Sequence, residues 1–142
     1  MFSREKIVSI RWFAGLSILS LSVLTAAGAA WACSCVRYAN AQAQLEDTEL
    51  MFVGRATHLA GESPGDSQPG ITEFTVERTL KGEHRAVRRI AHGRTMGGMC
   101  GVQFQRGRTY VVLASAFGGR LSTSACQSAQ FPLADYENAL SQ

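Results

Sequence analysis

Four cysteines, two of them separated by a single residue, constrain this 142-residue chain more than any other feature. They are Cys33 and Cys35, followed much later by Cys100 and Cys126. In an oxidising compartment, an even number of cysteines predicts disulfides. A bridge between Cys33 and Cys35 would close a very short and strained ring. The spacing therefore predicts that each of these two residues bonds to one distant partner, which leaves two pairings open.

The first 32 residues have the layout of a secretory signal peptide. A short basic segment precedes an uncharged run over 12–32, which ends in the small-x-small pattern Ala30-Trp31-Ala32. We expect cleavage after Ala32, a single mature domain over 33–142, and a secreted or periplasmic location. Two alternatives stay open. The uncharged run is long enough to be an uncleaved membrane anchor, and Cys33 is a candidate for lipid anchoring through an acylated cysteine.

The charge of residues 33–142 is nearly balanced. The chain has 14 Lys and Arg and 11 Asp and Glu. Three of the basic residues and one of the acidic residues lie in the predicted leader, so 33–142 has 11 basic and 10 acidic residues. We therefore expect no nucleic-acid partner, and no membrane partner unless Cys33 is lipidated. A local basic stretch without interleaved aromatic residues favours a charged, solvent-exposed edge strand over a single-strand nucleic-acid surface. It consists of Arg85, Arg88, Arg89 and Arg94.

The sequence contains no pattern that indicates an enzyme. No catalytic triad is recognisable, and His58, His84 and His92 lack metal-ligand spacing, so we expect them at the surface or at strand ends. We predict that the protein is not an enzyme and has no cofactor of its own.

The hydrophobic pattern predicts a mainly β domain. A short helix is expected over Ala39–Asp47, and a second begins near Pro132. The five predicted strands are Leu50–Thr57 with a bulge or bend at Gly54, Thr72–Lys81, Ala86–Ala91, Tyr110–Ala114 and Leu121–Cys126. Loops are expected over Ala60–Gly70 and Thr95–Gly101. This count suggests a five-stranded Greek-key barrel of the OB type. Alternation places Leu80 on the face of Phe74 and Val76, and the predicted interior includes Phe52, Phe74, Val76, Val111 and Leu113.

Several segments together resemble one family. They are Cys33-Ser34-Cys35-Val36, Phe52 to Arg55, Phe74 to Gly82, Cys100-Gly101 with Phe104, Gly107 and Tyr110, and finally Cys126. The combination is similar to the tissue inhibitors of metalloproteinases, which belong to the netrin-like group of OB-fold modules. The resemblance covers nearly all of 33–142. It implies disulfides between Cys33 and Cys100 and between Cys35 and Cys126.

The resemblance also implies a function. In that family the α-amine and carbonyl oxygen of the first cysteine bind the catalytic zinc of a target protease, and the next residue enters its specificity pocket. Here these positions are Cys33 and Ser34, and the implied partner-binding set is Cys33, Ser34, Cys35, Val36, Gly98, Met99 and Cys100. The expected partner is a zinc metalloprotease, and the only metal involved is the zinc of that protease. The alternative is a netrin-like module that binds another extracellular protein without inhibiting a protease. In either case we expect a monomer.

Overall fold

The computed structural model describes residues 33–61, 69–93 and 100–142, so the predicted leader over 1–32 lies outside the described residues. Within them the elements are, in chain order, α1 (Ala41–Glu46), β1 (Leu50–Ala60), β2 (Gly70–Lys81), β3 (Val87–His92), β4 (Thr109–Phe117), β5 (Arg120–Thr123), a 3₁₀ turn (Ala125–Gln127) and α2 (Leu133–Leu140). The strands close into a barrel in the order β1-β2-β3-β5-β4, with β4 paired back onto β1. Only β3 and β5 are parallel among these neighbours. The predicted five-stranded barrel of the OB type with short flanking helices is confirmed.

The barrel interior is built on aromatic rings packed edge to face. Phe74 is fully buried, and its ring centroid lies 5.5 Å from that of Phe52 and 5.0 Å from that of Phe104. Such T-shaped pairs are favoured because the positive edge of one ring meets the negative face of the other. Among the described residues, the buried members of the interior cluster are Leu50, Phe52, Ala56, Phe74, Val76, Ile90, Phe104, Val112 and Ala114. The predictions for Phe52, Phe74 and Val76 are confirmed.

A second apolar cluster lies between the barrel wall and the two helices. It contains Ala41, Leu45, Met51, Leu113 and Tyr136, with Val111 packed against its margin. The prediction that Val111 and Leu113 face the interior is therefore wrong, since β4 turns the alternate residues Val112 and Ala114 inward. Because the helices cover the outer face of β4, both of its faces are apolar, and alternation cannot identify the inner one.

Bulges in the pairing of β1 with β2 shift the faces of β2. Met51 pairs with Lys81 and Phe52 with Thr79, so Leu80 is an extra residue on its strand. A bulge of this kind changes the side of the sheet on which the following residues lie. Leu80 accordingly packs against the helix-covered cluster and not with Phe74 and Val76, which corrects the prediction.

The irregularity predicted at Gly54 is present as a register shift between Val53 and Gly54. A side chain has no room at this position. A Cβ atom there would lie 2.8 Å from the Phe52 ring and 3.0 Å from the carbonyl oxygen of Thr75. Glycine lets the strand backbone approach the buried ring.

Two further predictions are corrected. β5 ends at Thr123, and Cys126 lies in the 3₁₀ turn, where the backbone N–H of Ala125 donates to the carbonyl oxygen of Cys100 at 2.9 Å. β3 is not a simple edge strand, because it pairs with β5 as well as with β2. The histidines lie where the sequence predicts them, with His58 and His84 exposed and His92 at the end of β3, where it is buried and bonded to the hydroxyl of Thr72 at 2.9 Å.

None of the described helices is both long enough and apolar enough to cross a membrane.

Candidate partner-binding site at the N-terminal segment

Two disulfides hold the segment from Cys33 to Tyr38 against the barrel. Cys33 is bonded to Cys100 and Cys35 to Cys126, with Cα–Cα distances of 5.6 and 5.0 Å. These are the pairings that the family resemblance implies. The hydrogen bond from the Ala125 N–H to the Cys100 carbonyl brings the two partner cysteines to neighbouring places. Two cysteines only one residue apart can therefore both reach a partner.

A side-chain amide holds the same segment beyond the second cysteine. The Gln130 Nε2 donates to the carbonyl oxygen of Val36 at 2.9 Å, and its Oε1 accepts from the backbone N–H of Tyr38 at 3.1 Å. A side-chain amide has one N–H donor group and one C=O acceptor, like a peptide group. Gln130 therefore supplies the hydrogen bonds that a neighbouring strand would otherwise give to this segment. We call this pair of bonds the Gln130 clamp.

The clamp rests on a buried polar network between the helices. The backbone N–H of Gln130 donates to the Gln44 Oε1 at 3.2 Å and to the Tyr136 hydroxyl at 3.0 Å. That hydroxyl in turn donates to the Gln44 Oε1, and the Gln44 Nε2 donates to the carbonyl oxygen of Ser128 at 3.0 Å. Gln44 and Tyr136 are buried, and a polar network that is fully satisfied in such surroundings is rigid. Their bonds therefore fix where Gln130 stands.

Tyr38 ends the segment with a bond to the first helix. Its hydroxyl donates to the Asp47 Oδ2 at 2.9 Å. This hydrogen bond raises the pKa of Tyr38, and partial burial and the negative charge of Asp47 act in the same direction. A carboxylate favours the protonated phenol because only that form can donate to it.

The tethered segment presents alternate side chains to solvent. Ser34 is exposed and Val36 has 68% of its surface exposed, whereas Cys33 and Cys35 are partly buried by their disulfides. The segment lines a shallow groove of about 590 Å³ together with Gln130 and Phe131. Cys100 borders the segment through its disulfide. The predicted site residues Gly98 and Met99 lie outside the described residues.

The groups that this site offers for binding are mainly backbone groups. In the parts of the chain that the structure describes, no group of three or more His, Cys, Asp or Glu side chains is placed to hold a metal ion. What the site offers is a stretch of backbone fixed at Cys33, Cys35, Val36 and Tyr38, from which the side chains of Ser34 and Val36 are exposed. An arrangement of this kind can bind a partner without first having to be ordered.

No protein-family model matches the chain, and a search of curated proteins finds no match. The geometry of the segment and the residues that hold it are therefore the basis for inferring a function.

Sequence reasoning missed the Gln130 clamp and its supports. Gln130 is separated from Val36 by 94 positions and Gln44 from Tyr136 by 92. Glutamine is a common surface residue, and nothing local distinguishes these two from the others. The nearest local signal is the helical spacing of Tyr136 with Leu133 and Leu140, which predicts a helix but not a hydrogen-bonding role.

Proposed function

We propose that this protein is an exported inhibitor of zinc metalloproteases, similar in its binding mode to the tissue inhibitors of metalloproteinases. Residues 1–32 direct export and are removed, so that Cys33 carries the α-amino group of the mature protein. That amine and the Cys33 carbonyl oxygen bind the catalytic zinc of the target. Ser34 enters the specificity pocket, and Val36 contacts the surface beside it.

The inhibitory step follows from zinc chemistry. A catalytic zinc holds three protein ligands and one water, which becomes the nucleophile. An amine and a carbonyl oxygen of one residue form a five-membered ring with a metal, and they occupy the position of that water. The protease then keeps its metal but has no activated water, so substrate hydrolysis stops.

One observation supports this proposal above the others, namely the double tether of Cys33-Ser34-Cys35. A chain terminus is ordinarily mobile, and ordering its backbone costs about 1–2 kcal/mol per residue. Here the disulfides of Cys33 and Cys35 and the Gln130 clamp at Val36 hold the segment before any partner arrives. Ser34 and Val36 remain exposed between the tethers. The entropy cost of ordering this segment is thus incurred on folding and not on binding, which raises the affinity for a target.

The deciding experiment displaces the amine by one residue. A form that begins at Cys33 is compared with a form that has one alanine before Cys33, and with a control that has the alanine after Gln142. All are assayed against a panel of zinc endopeptidases, after circular dichroism and intact mass have confirmed the fold and both disulfides. We expect the authentic form and the control to inhibit, and the extended form to lose about a hundredfold or more in affinity, or 2.7 kcal/mol.

Two results would contradict the proposal. The first is equal inhibition by the extended form, which would show that the amine is not a ligand. The second is an exported protein whose mass reveals a retained leader or an acylated Cys33, since neither leaves an amine that can bind zinc. Either result favours the alternative of a netrin-like module that binds an extracellular protein without touching a metal.

A further inference from the structure

A basic groove lies where β3 and β5 diverge. The two parallel strands pair only at Ala91 with Ser122 and at His92 with Thr123, so their first residues separate. The opening between them has a volume of about 770 Å³ and is remote in sequence from the N-terminal segment. We call it the β3–β5 groove. Its lining includes Arg85, Val87, Arg88, Arg89, Arg120 and Leu121.

The arginines of this groove have an excess of positive charge. Among the described residues, Arg88, Arg89 and Arg120 have no carboxylate within ion-pair distance, and only Arg85 has one, an exposed contact of 2.9 Å with Glu83. Glu73 is the cross-strand neighbour of Arg89 but forms no ion pair with it. The groove therefore attracts anionic groups, although the domain as a whole is nearly neutral.

Arg88 has the most unusual position of the four. Only 9% of its surface is exposed, and its guanidinium group donates to the backbone carbonyl oxygen of Glu83. The pKa of Glu83 is lowered first by its hydrogen bond with Arg85 and also by the charges of Arg85 and Arg88. The Glu83 carboxylate lies beyond ion-pair distance of Arg88 and therefore compensates the buried charge only in part, and holding such a charge out of water is costly. A carboxylate in the groove would supply the missing charge and match the planar donor fork of arginine.

The backbone of β3 faces the same groove. The N–H of Val76 donates to the carbonyl oxygen of Ala86 at 2.8 Å. Because the bonding direction alternates along an antiparallel pair, the N–H and C=O groups of Val87 and Arg89 point away from β2. β5 does not pair with these two residues, since its pairing begins at Ala91. Within the part of the chain that the structure describes, this stretch of strand edge is thus open to a ligand that has its own peptide groups.

We propose that the β3–β5 groove binds an extended acidic segment of another protein, which adds as a strand along Val87 to Arg89 and directs its carboxylates to the groove arginines. The charge argues for an acidic ligand, and the open strand edge argues for a polypeptide. Val87, half exposed, and Leu121 supply apolar contacts for alternate side chains. No aromatic residue lines the groove in the described part of the chain, so it has no surface on which nucleic-acid bases would stack. This inference does not depend on the proposed inhibition.

The test uses a synthetic probe of this chemistry. A fluorescent peptide of about eight alternating glutamate and valine residues, a strand of ordinary length, is titrated with the full disulfide-bonded protein, and its anisotropy is measured. A second peptide carries N-methyl groups on alternate residues, which remove backbone donors but keep every charge. A third has lysine in place of glutamate. We expect the first to bind, the second to bind about tenfold or more weakly, and the third not to bind.

Variants of the protein locate the binding. Arg89→Glu and Arg120→Glu each reverse a charge in the groove, and we expect each to weaken the first peptide about tenfold or more. Arg106→Glu is the matched control, because Arg106 is exposed and does not line the groove. It should change the affinity by less than about twofold. Circular dichroism confirms that all three variants are folded.

Three results would overturn the proposal. They are no binding of the acidic peptide, binding that Arg106→Glu weakens as much as Arg89→Glu does, and equal binding of the N-methylated peptide. A sulfated oligosaccharide and a single-stranded oligonucleotide are included as competitors. If either displaces the probe more efficiently than unlabelled peptide of equal charge, the groove is an anion site for that polymer and not a strand acceptor.

Discussion

The side chain of Gln130 accepts a hydrogen bond from the backbone N–H of Tyr38 at 3.1 Å, across 92 positions of the sequence. The same amide donates to the Val36 carbonyl oxygen at 2.9 Å. The two disulfides fix Cys33 and Cys35, but they leave the following residues to be held by other means. Gln130 supplies that third attachment, so the exposed segment is fixed at both of its ends.

The clamp gives a first prediction. Gln130→Ala removes both bonds, and because they are exposed we expect a loss of only about 0.5–1.5 kcal/mol in the free energy of unfolding. The local effect should be larger. Exchange of the Tyr38 amide proton, followed by NMR, should accelerate about tenfold, since local opening no longer breaks a hydrogen bond.

Gln103→Ala is the control for that measurement. Gln103 is exposed and takes part in none of the bonds of the clamp. Unchanged exchange at Tyr38 in Gln130→Ala would mean that the disulfides alone order the segment. If the proposed inhibition is correct, Gln130→Ala should also weaken it, whereas Gln103→Ala should not.

A second prediction concerns the hydroxyl of Tyr136. It is fully buried, donates to the Gln44 Oε1, and accepts from the Gln130 N–H at 3.0 Å. Tyr136→Phe keeps the ring but leaves these buried groups short of a partner, which should cost about 1–3 kcal/mol. Urea denaturation would measure it, with Tyr110→Phe as the control, because the Tyr110 hydroxyl accepts one bond, from the exposed Gln105. A smaller loss for Tyr136→Phe than for Tyr110→Phe would contradict the role of the network.

The barrel core gives a third prediction. Phe74 contacts the rings of Phe52, Phe104 and Tyr110, and Phe74→Ala should cost about 3–5 kcal/mol through lost burial and the cavity that remains. Phe117→Ala removes an equal side chain that is 82% exposed, and it should change stability by less than about 0.5 kcal/mol. Similar losses for the two variants, measured by thermal or urea unfolding, would contradict the assigned interior.

The sequence was sufficient for the barrel because the strands carry local signals. β2 alternates clearly over Phe74 and Val76, and Gly54 marks an irregularity that the structure contains. β4 was recognisable as a strand, but its inner face was not, because the helices bury its outer face as well. The bulge at Leu80 was also hidden, since a bulge depends on how two strands pair and not on either sequence alone.

The candidate site likewise has features that the sequence predicts and features that it does not. The cysteines carry their chemistry visibly, so both disulfides were accessible from sequence and resemblance. The clamp was not, because Gln130 acts through partners more than 90 positions away. Burial of His92 was missed for a related reason. Its hydrogen-bond partner Thr72 lies on the neighbouring strand, and no local pattern reveals that a histidine is satisfied in this way.

A fourth prediction uses the raised pKa of Tyr38. Asp47 accepts a hydrogen bond from the phenol, so the folded protein holds that proton more tightly than the unfolded chain does. The resulting stabilisation is fully present below the ordinary pKa of 10.0 and is lost as the pH rises through the higher folded-state value. The titration of Tyr38 is obtained as the difference between the ultraviolet titration curves of the parent protein and of Tyr38→Phe. Asp47→Asn should lower its midpoint, and an unchanged midpoint would show that the Asp47 charge and acceptor do not cause the shift.

The last prediction separates the tether of Cys33 from its chemistry. Cys33→Ser combined with Cys100→Ser keeps the backbone amine and carbonyl oxygen at residue 33 but removes the bridge that fixes them. The bridge joins residues 67 positions apart, so its loss should destabilise the fold by up to about 4 kcal/mol. If preorganisation supports inhibition, the variant should inhibit about tenfold or more weakly while still folded.

Cys35→Ser with Cys126→Ser is the matched control. It removes a bridge of similar span, 91 positions, at a residue that does not bind zinc in the proposed mode. We expect it to lose comparable stability but less inhibition. The deciding measurement is which of the two double variants loses more inhibition. Circular dichroism at each assay temperature confirms that the two variants have the same folded fraction. Equal inhibition by both variants and the parent protein would mean that the disulfides stabilise the barrel and contribute nothing to the proposed binding mode.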